Sequence, residues 1–425
     1  MLSGSRGDAG GHGDAGAFYA GLDVRPVDFG PALASPAPMR FEGPAGTAPM
    51  HPSYEDRPDA DDRVFGRLDD AEYELQVDAW GRELTLAGAA EADLLHLHHL
   101  TPIYEAAARV APEVPVVGQL HGTELLFLEQ VARGAPDTWE FADAWAQRMI
   151  GWAQRCERLL VAPGGAERAA GLLGIEPDRF SPAPNGFDPE RFRPDEVDRS
   201  VLWQRALVDE PRGWLPGADA GSVAYAEDEL GPLRDGVVLL YVGRFTEVKR
   251  LGMLIRAFGR ARADFARPAA LAIVGGHPGE WEGEHPAEAI AATGARDVYL
   301  AGWHDHGELP EFLNASDAVI LTSAREQFGQ VLVEGMACGL PAVATDSFGP
   351  RLIVDDGRTG WLVERDDEDG LVDALREVVN DADERARRGR AAREDALDRF
   401  SWPRIAASVA EVFDAAAVSP GRRPR

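Results

Sequence analysis

The chain predicts an α/β protein of two doubly wound domains, and three observations carry that expectation. Short apolar runs bounded by turn residues alternate with stretches of helical periodicity, the pattern that builds parallel sheets. At 425 residues the chain exceeds the size at which a single core stops growing. Residues 317–346, DAVILTSAREQFGQVLVEGMACGLPAVATD, hold a complete strand, loop, helix and strand. There, 318–321 is an apolar run with turn chemistry on both sides. Leu332 and Met336 share one helix face, and Gly339 and Pro341 stop the helix before the next apolar run.

The first domain is expected over residues 1–195. Residues 1–16 are rich in Gly, Asp and Ser and are expected to be unstructured. Gly10-Gly11 follow no apolar strand, so they are not read as a phosphate loop. Residues 22–29 alternate weakly as a strand, and 31–62, rich in Pro, Ala, Gly and acid, read as a long loop that is either functional or poorly ordered. A helix over 69–90, a strand over 93–98, a helix over 101–110 and a strand over 114–120 follow, the last ending in His121-Gly122-Thr123-Glu124. A long helix over 137–158 carries Trp139, Trp145 and Trp152 as core residues. A strand over 158–162 and a helix over 164–173 come next, and 180–194 begins as a strand and ends in helix breakers.

Residues 196–236 are polar with scattered Trp203, Trp214 and Pro216, and are read as a linker or insertion. The second domain, 237–398, opens on the buried strand VVLLYV. Leu251, Leu254, Ile255 and Phe258 then recur at i, i+3, i+4 and i+7, one apolar helix face. Runs at 271–274, 298–300, 318–321 and 342–345 complete a five-strand reading, although no G-x-G-x-x-G follows any strand. Helices are expected over 366–380 and 381–393, and a final one over 399–417.

The loop 323–330 is where chemistry belongs, because open parallel sheets bind ligands beyond the carboxyl ends of their strands. Gly329 lets backbone approach a ligand, and the free amides of Gln330 and Val331 with the positive helix end favour an anion such as a diphosphate. Glu326 and Glu334 bracket that site, one placed to face a sugar and the other a ribose. Taken alone, Glu326 reads equally well as a capping acid and Glu334 as a solvated helix acid.

Composition narrows the function classes. With 43 basic and 72 acidic residues the net charge is −29, which argues against nucleic-acid or anionic-membrane partners. Lys249 is the only lysine in the chain. Cys156 and Cys338 are the only cysteines, far apart in sequence, so neither a disulfide framework nor a cysteine metal site is indicated. No run of eighteen apolar residues and no signal-peptide core are present, which predicts a cytoplasmic protein without a transmembrane segment.

The run S-x-x-E-x-F-G-x-x-L-V-E-x-M-A-C-G-L-P-x-V-A-T-D from Ser323 resembles the E-x7-E signature of retaining glycosyltransferase family 4. The resemblance spans about 93–415. It implies the GT-B fold, two Rossmann-like domains facing a cleft, with the last helix crossing back onto the first domain. It implies transfer from a nucleotide-diphosphate sugar to an acceptor the sequence does not name; no cofactor is expected, and no metal, because no Asp/Glu cluster accompanies the histidines at 96–99. G-R-x-x-x-x-K-R at Gly243, Arg244 and Lys249 resembles the family's diphosphate clamp, and Pro184-Asn185-Gly186 resembles the segment closing the N-terminal domain. By resemblance Glu326 lies by the donor sugar, Glu334 binds the ribose hydroxyls, and the amides of Phe328, Gly329, Gln330 and Val331 hold phosphate oxygens.

His121, in HGTEL, resembles the histidine that faces the donor sugar from the first domain. His-x-His-His at 96–99 puts His96 and His98 on one strand face and His99 on the other, with an acceptor-side role assigned to His98 or His99. One departure is expected to matter: no strand and Gly-Gly loop are visible before residue 22, so either the chain starts late or its first domain is incomplete. That departure keeps open a catalytically impaired nucleotide-sugar binding protein, beside a GT-B phosphorylase or epimerase.

Overall fold

The computed structural model describes residues 1–5, 22–30, 32, 48–56 and 63–418. They form two compact units, one from the described residues of 1–183 with 408–418, the other Pro184–Ala407.

In the first unit β1 (Leu2–Ser5) pairs in parallel with β2 (Arg25–Asp28). A separate four-stranded parallel sheet has the order β3 (Leu95–His98), β4 (Val116–Gln119), β5 (Arg158–Val161) and β6 (Phe180–Pro182). Helices α1 (Asp70–Leu86), α2 (Ile103–Val110), α3 (Thr123–Arg133), α4 (Ala142–Arg155) and α5 (Ala166–Leu173) accompany it. Asp69 starts α1 with a reciprocal capping box to Glu72, which satisfies two otherwise orphaned amides. The core is aromatic: the rings of Phe65 and Trp145 stack at 4.6 Å, and Trp139 and Trp152 are buried with them as expected, although Trp139 precedes α4, which is shorter than the helix expected over 137–158.

β1 corrects the expectation that residues 1–16 are unstructured and supplies the strand, though not the Gly-Gly loop, that was not visible before residue 22. L-S-G-S lacks an apolar run, and its strand is defined by backbone pairing with β2, which side-chain pattern does not report. Gly10-Gly11 and the rest of 6–21 lie outside the described residues, as does most of the loop at 31–62. Its described part, 48–56, docks through the Met50 amide on Gln76 at 2.7 Å and the Tyr54 hydroxyl on the Leu100 carbonyl at 3.1 Å. α3 was not legible either, because its consecutive Leu and Phe residues blur a 3.6-residue period.

The second unit holds β7 (Val237–Val242), β8 (Ala269–Val274), β9 (Val298–Gly302), β10 (Ala318–Leu321), β11 (Ala342–Thr345) and β12 (Gly360–Val363). The sheet runs in the order β12-β11-β10-β7-β8-β9 with every pairing parallel. β12 is a sixth strand beyond the expected five, its four residues too few to stand out from the turn before them. Helices α6 (Arg199–Gln204), α7 (Gly231–Asp235), α8 (Leu251–Ala261), α9 (Pro286–Thr293) and α10 (Leu309–Asn314) lie along the first part of the unit. They are followed by α11 (Gln330–Ala337), α12 (Phe348–Ile353), α13 (Glu368–Asn380), α14 (Ala382–Phe400) and α15 (Trp402–Ala417).

Residues 196–236 are not a linker. Leu202, Trp203, Leu207, Trp214, Leu230 and Leu233 enter the same core as β7 and β8, so the polar residues between them are the outer face of a folded layer. α15 ends in the first unit, where Ala416 is buried with Val117, Leu160 and Ala183 and where Val412 and Phe413 pack. The crossing back expected from the resemblance is therefore present.

Strand order explains where the second unit can bind. From β7 the chain proceeds outward to β8 and β9, then returns to the other side of β7 for β10, β11 and β12. The reversal leaves a crevice between the carboxyl ends of β7 and β10, the place where open α/β sheets take ligands.

Candidate functional site

The loops leaving β7 and β10 meet at that crevice. After β7, Glu247–Lys249 form one 3-10 turn, and Arg250, at a left-handed φ of 55°, starts α8. After β10, the Ala324 amide donates to the Val248 carbonyl at 2.8 Å and the Thr322 hydroxyl to the Lys249 carbonyl at 2.9 Å, so one backbone and one side-chain bond tie the two loops together. The Lys249 ammonium consequently lies 2.5 Å from Glu326 Oε2, which also accepts from the Ser323 hydroxyl at 3.2 Å. Both members of the pair keep less than a fifth of their side chains exposed, at 19 % and 17 %. Water therefore screens them less than it would a surface pair.

Gly329 stands where α11 begins, with a φ of +105°. A side chain there would be strained by that backbone angle and would also meet Leu332 at 3.2 Å. Gly329→Ala is expected to lower stability by about 1–3 kcal/mol. Urea melts of the variant beside the unaltered chain would report the loss. The Leu332 amide returns to the Gly329 carbonyl at 2.9 Å. Those of Gln330 and Val331 find no acceptor among the described residues, as the first amides of a helix do. Phe328 contributes backbone only, since its ring is buried against Phe400 at 5.9 Å.

Glu334, one turn into α11, is 2 % exposed. Its Oε1 accepts from Gln330 Nε2 at 3.1 Å and from His306 Nε2 at 2.8 Å. Gln330 Nε2 also donates to the Gly186 carbonyl at 2.9 Å, tying the Asn185-Gly186 turn to the start of α11. Neither His306 nor the Gln330 side chain was expected from sequence. The only signal was indirect: an acid this deeply buried requires hydrogen-bond partners.

Gly243 and Arg244 end β7. The Gly243 amide is committed to the Val274 carbonyl at 3.0 Å, so this glycine supplies space beside the Tyr241 hydroxyl rather than a donor for phosphate. The Arg244 side chain is exposed and joins no ion pair among the described residues, leaving its guanidinium uncommitted.

His121, His98 and His99 lie in the first unit, at the carboxyl ends of β3 and β4. His98 Nδ1 and His121 Nε2 are 2.9 Å apart, and the rings of His96 and His98 are 4.5 Å apart on the shared face that strand alternation predicts. His99 is not on the opposite face. It has left the strand at a φ of +57°, which brings its ring to 4.2 Å from that of His121. Beneath them Glu124, fully buried, accepts from the His121 amide at 2.9 Å and the Thr123 hydroxyl at 3.1 Å. Burial alone would raise the Glu124 pKa, but the nearby His99 ring and the backbone amides of Glu124 itself and His121 hold it below the ordinary carboxylate value. No group of three or more His, Cys, Asp or Glu is arranged to hold a metal ion among the described residues.

Partial burial and then the neighbouring imidazoles push His98 and His121 well below the ordinary imidazole pKa, although their exposed edges let water screen part of the effect. Between that ordinary value of 6.5 and the lowered native values this pair binds more protons in the unfolded chain than in the folded one, so its contribution to stability falls as the pH falls below about 6.5. Melting temperatures from pH 7 to pH 5 should drop less steeply for His98→Asn than for the unaltered chain. Identical slopes would exclude this pair as a source of acid sensitivity.

Two family models match the chain, "Glycosyltransferase Family 4" over residues 51–191 and "Glycosyl transferases group 1" over 227–395. A Nocardioides sp. D-inositol 3-phosphate glycosyltransferase is 31 % identical over 373 residues, 82 % of this chain and 74 % of that protein. The chain belongs to glycosyltransferase family 4. The enzyme of the same name from Stackebrandtia nassauensis is 32 % identical over 61 % of this chain, a match that spans only 55 % of its own length. Among solved structures, Anabaena HepE in complex with UDP-glucose superposes with a TM-score of 0.58 at 20 % identity, over 83 % of this chain and 85 % of HepE. At that identity the likeness speaks for the GT-B fold alone. Within this family 4 chain no helix among the described residues is long and apolar enough to cross a membrane.

Proposed function

We propose that the protein transfers a sugar from a nucleotide-diphosphate sugar to an acceptor hydroxyl with retention of anomeric configuration. The observation that carries this reading is the pairing of Lys249 with Glu326 at the reversal point of the second sheet, beside the unfilled amides that open α11. Breaking the bond between the anomeric carbon and the diphosphate needs two kinds of electrostatic help. Negative charge grows on the departing diphosphate, where Lys249, Arg244 and the amides of Gln330 and Val331 are the donors. Positive charge grows on the sugar ring, where Glu326 is the acid. Glu334 holds the ribose.

Retention follows if the acceptor attacks from the face the diphosphate leaves. The new carbon–oxygen bond forms as the old one breaks, and the acceptor proton passes to a phosphate oxygen of the leaving group. Lys249 then neutralises that phosphate, its ammonium moving to it from Glu326. His121 is assigned to the donor sugar and His98 or His99 to the acceptor. HepE is a UDP-glucose binder and the relatives carry D-inositol 3-phosphate in their names, so UDP-glucose and D-inositol 3-phosphate are the first pair to assay. Donor consumption across a panel of nucleotide sugars, with proton NMR of the product, is expected to show one donor consumed and an axial anomeric linkage preserved. Binding without consumption of any donor would replace this reading with that of a nucleotide-sugar binding protein.

A further inference from the structure

Glu334 is read above as the ribose ligand, and the residue that aims it is outside every motif of the sequence. His306 lies in the loop after β9, four residues beyond Gly302, on a different strand from the helix that carries Glu334. Its ring packs 5.3 Å from that of the buried Phe192, and its Nε2 reaches Glu334 Oε1 at 2.8 Å. A carboxylate only accepts, so Nε2 is the nitrogen that carries the hydrogen. With Gln330 on the same oxygen, Oε1 is doubly occupied, whereas Oε2 has no hydrogen-bond partner among the described residues. The His306 side chain is still 57 % exposed, so this contact is at the rim of the crevice and not in the packed core.

We propose that His306 is a positioning residue for donor recognition: it fixes Glu334 through Oε1 so that Oε2 is presented to the ribose hydroxyls. The donor it serves is a ribonucleoside diphosphate, discriminated from its deoxy form. Two neighbours on one oxygen remove the freedom of the carboxylate to rotate, and a preoriented acceptor binds a diol without a further ordering cost. This rests on the ribose reading of Glu334, and the test separates the two. His306 itself is expected to contact Glu334 and not to touch the reacting atoms, so it should act on donor affinity and leave turnover at saturation unchanged.

The experiment titrates the full chain by calorimetry with UDP, ADP and GDP, and then with the 2′,3′-dideoxy form of whichever binds. His306→Ala should weaken the ribonucleoside diphosphate about tenfold, the loss of one charge-assisted hydrogen bond, and should leave the dideoxy form unchanged. His306→Gln, which can keep an N–H on Oε1, should restore most of the affinity. Equal weakening of both ligands, or no weakening of either, would overturn the proposal, because a residue that only supports the fold cannot tell a diol from its absence. Tighter binding by His306→Ala would overturn it in the opposite sense and make His306 a competitor for the ribose. If the unaltered chain shows no preference for ribose over dideoxyribose, the reading of Glu334 itself fails. If it binds none of the three diphosphates, the donor site fails with it.

Discussion

Lys249→Ala is expected to lower kcat/KM by about a hundredfold to a thousandfold, the usual consequence of removing one preorganised charge from a transition state. Lys249 is the only lysine of a chain that otherwise meets its need for cations with arginine. It is held at the crevice by three separate contacts: its carbonyl accepts from Thr322, its neighbour Val248 accepts from Ala324, and its ammonium pairs with Glu326. A compact ammonium on a flexible stem can shift from Glu326 to a diphosphate oxygen as charge develops there, which a rigid guanidinium fork does less readily.

The substitution also strands Glu326 with Ser323 as its remaining donor, at a cost to stability of about 1–3 kcal/mol. A companion variant keeps the two effects apart. Lys249→Met with Glu326→Gln removes both charges, so stability should recover while activity does not. Kinetics read beside a thermal melt decide the matter, and a Lys249→Ala protein with unimpaired kcat/KM would exclude the clamp.

Trp214→Ala is expected to cost about 3–5 kcal/mol of folding stability, the range for truncating a large buried aromatic. The ring is 1 % exposed, stacks on Phe245 at 5.7 Å and meets the edge of His285 at 4.5 Å, and its Nε1 donates to the Gly276 carbonyl at 3.1 Å. Gly276 belongs to the turn that ends β8, and its neighbour Gly275 lies so close to the Gly243 carbonyl that a Cβ would come within 2.2 Å of it. Loosening Trp214 therefore reaches the end of β7, and donor affinity should weaken together with stability. Urea unfolding monitored by far-UV dichroism gives the first quantity and nucleotide titration the second. A loss below 1 kcal/mol would mean that 196–236 is an appendage after all.

That segment shows where sequence reasoning runs out. Strands buried on both faces announce themselves as apolar runs, so β7, β8 and β10 were legible, and α8 was legible because its apolar residues keep a single face. The layer around Trp203 and Trp214 has no such period. Its apolar residues are widely spaced between acids and turns, and only the side chains they meet, Phe312 for Trp203 and Phe245 and His285 for Trp214, make them core. β1 escaped for a related reason, since pairing with β2 is a backbone event that L-S-G-S does not encode in its side chains.

At the site the same division holds. Lys249, Glu326, Gly329 and Glu334 could be picked out because strand ends and helix starts place residues of fixed spacing. The structure brings Lys249 to Glu326 and buries Glu334. The partners of Glu334 come from α11 itself and from the loop after β9, three strands from β10 in the sheet, and no spacing in the chain relates His306 to residue 334. His99 was misjudged because one left-handed residue after β3 cancels the alternation that assigns strand faces.

The most direct test of the donor site is a crystal structure of the protein grown with a ribonucleoside diphosphate. The diphosphate is expected within hydrogen-bond distance of the Lys249 ammonium and the amides of Gln330 and Val331, with a ribose hydroxyl on Glu334. A nucleotide bound elsewhere, with the Lys249 to Glu326 pair undisturbed and Glu334 touching no sugar, would contradict it.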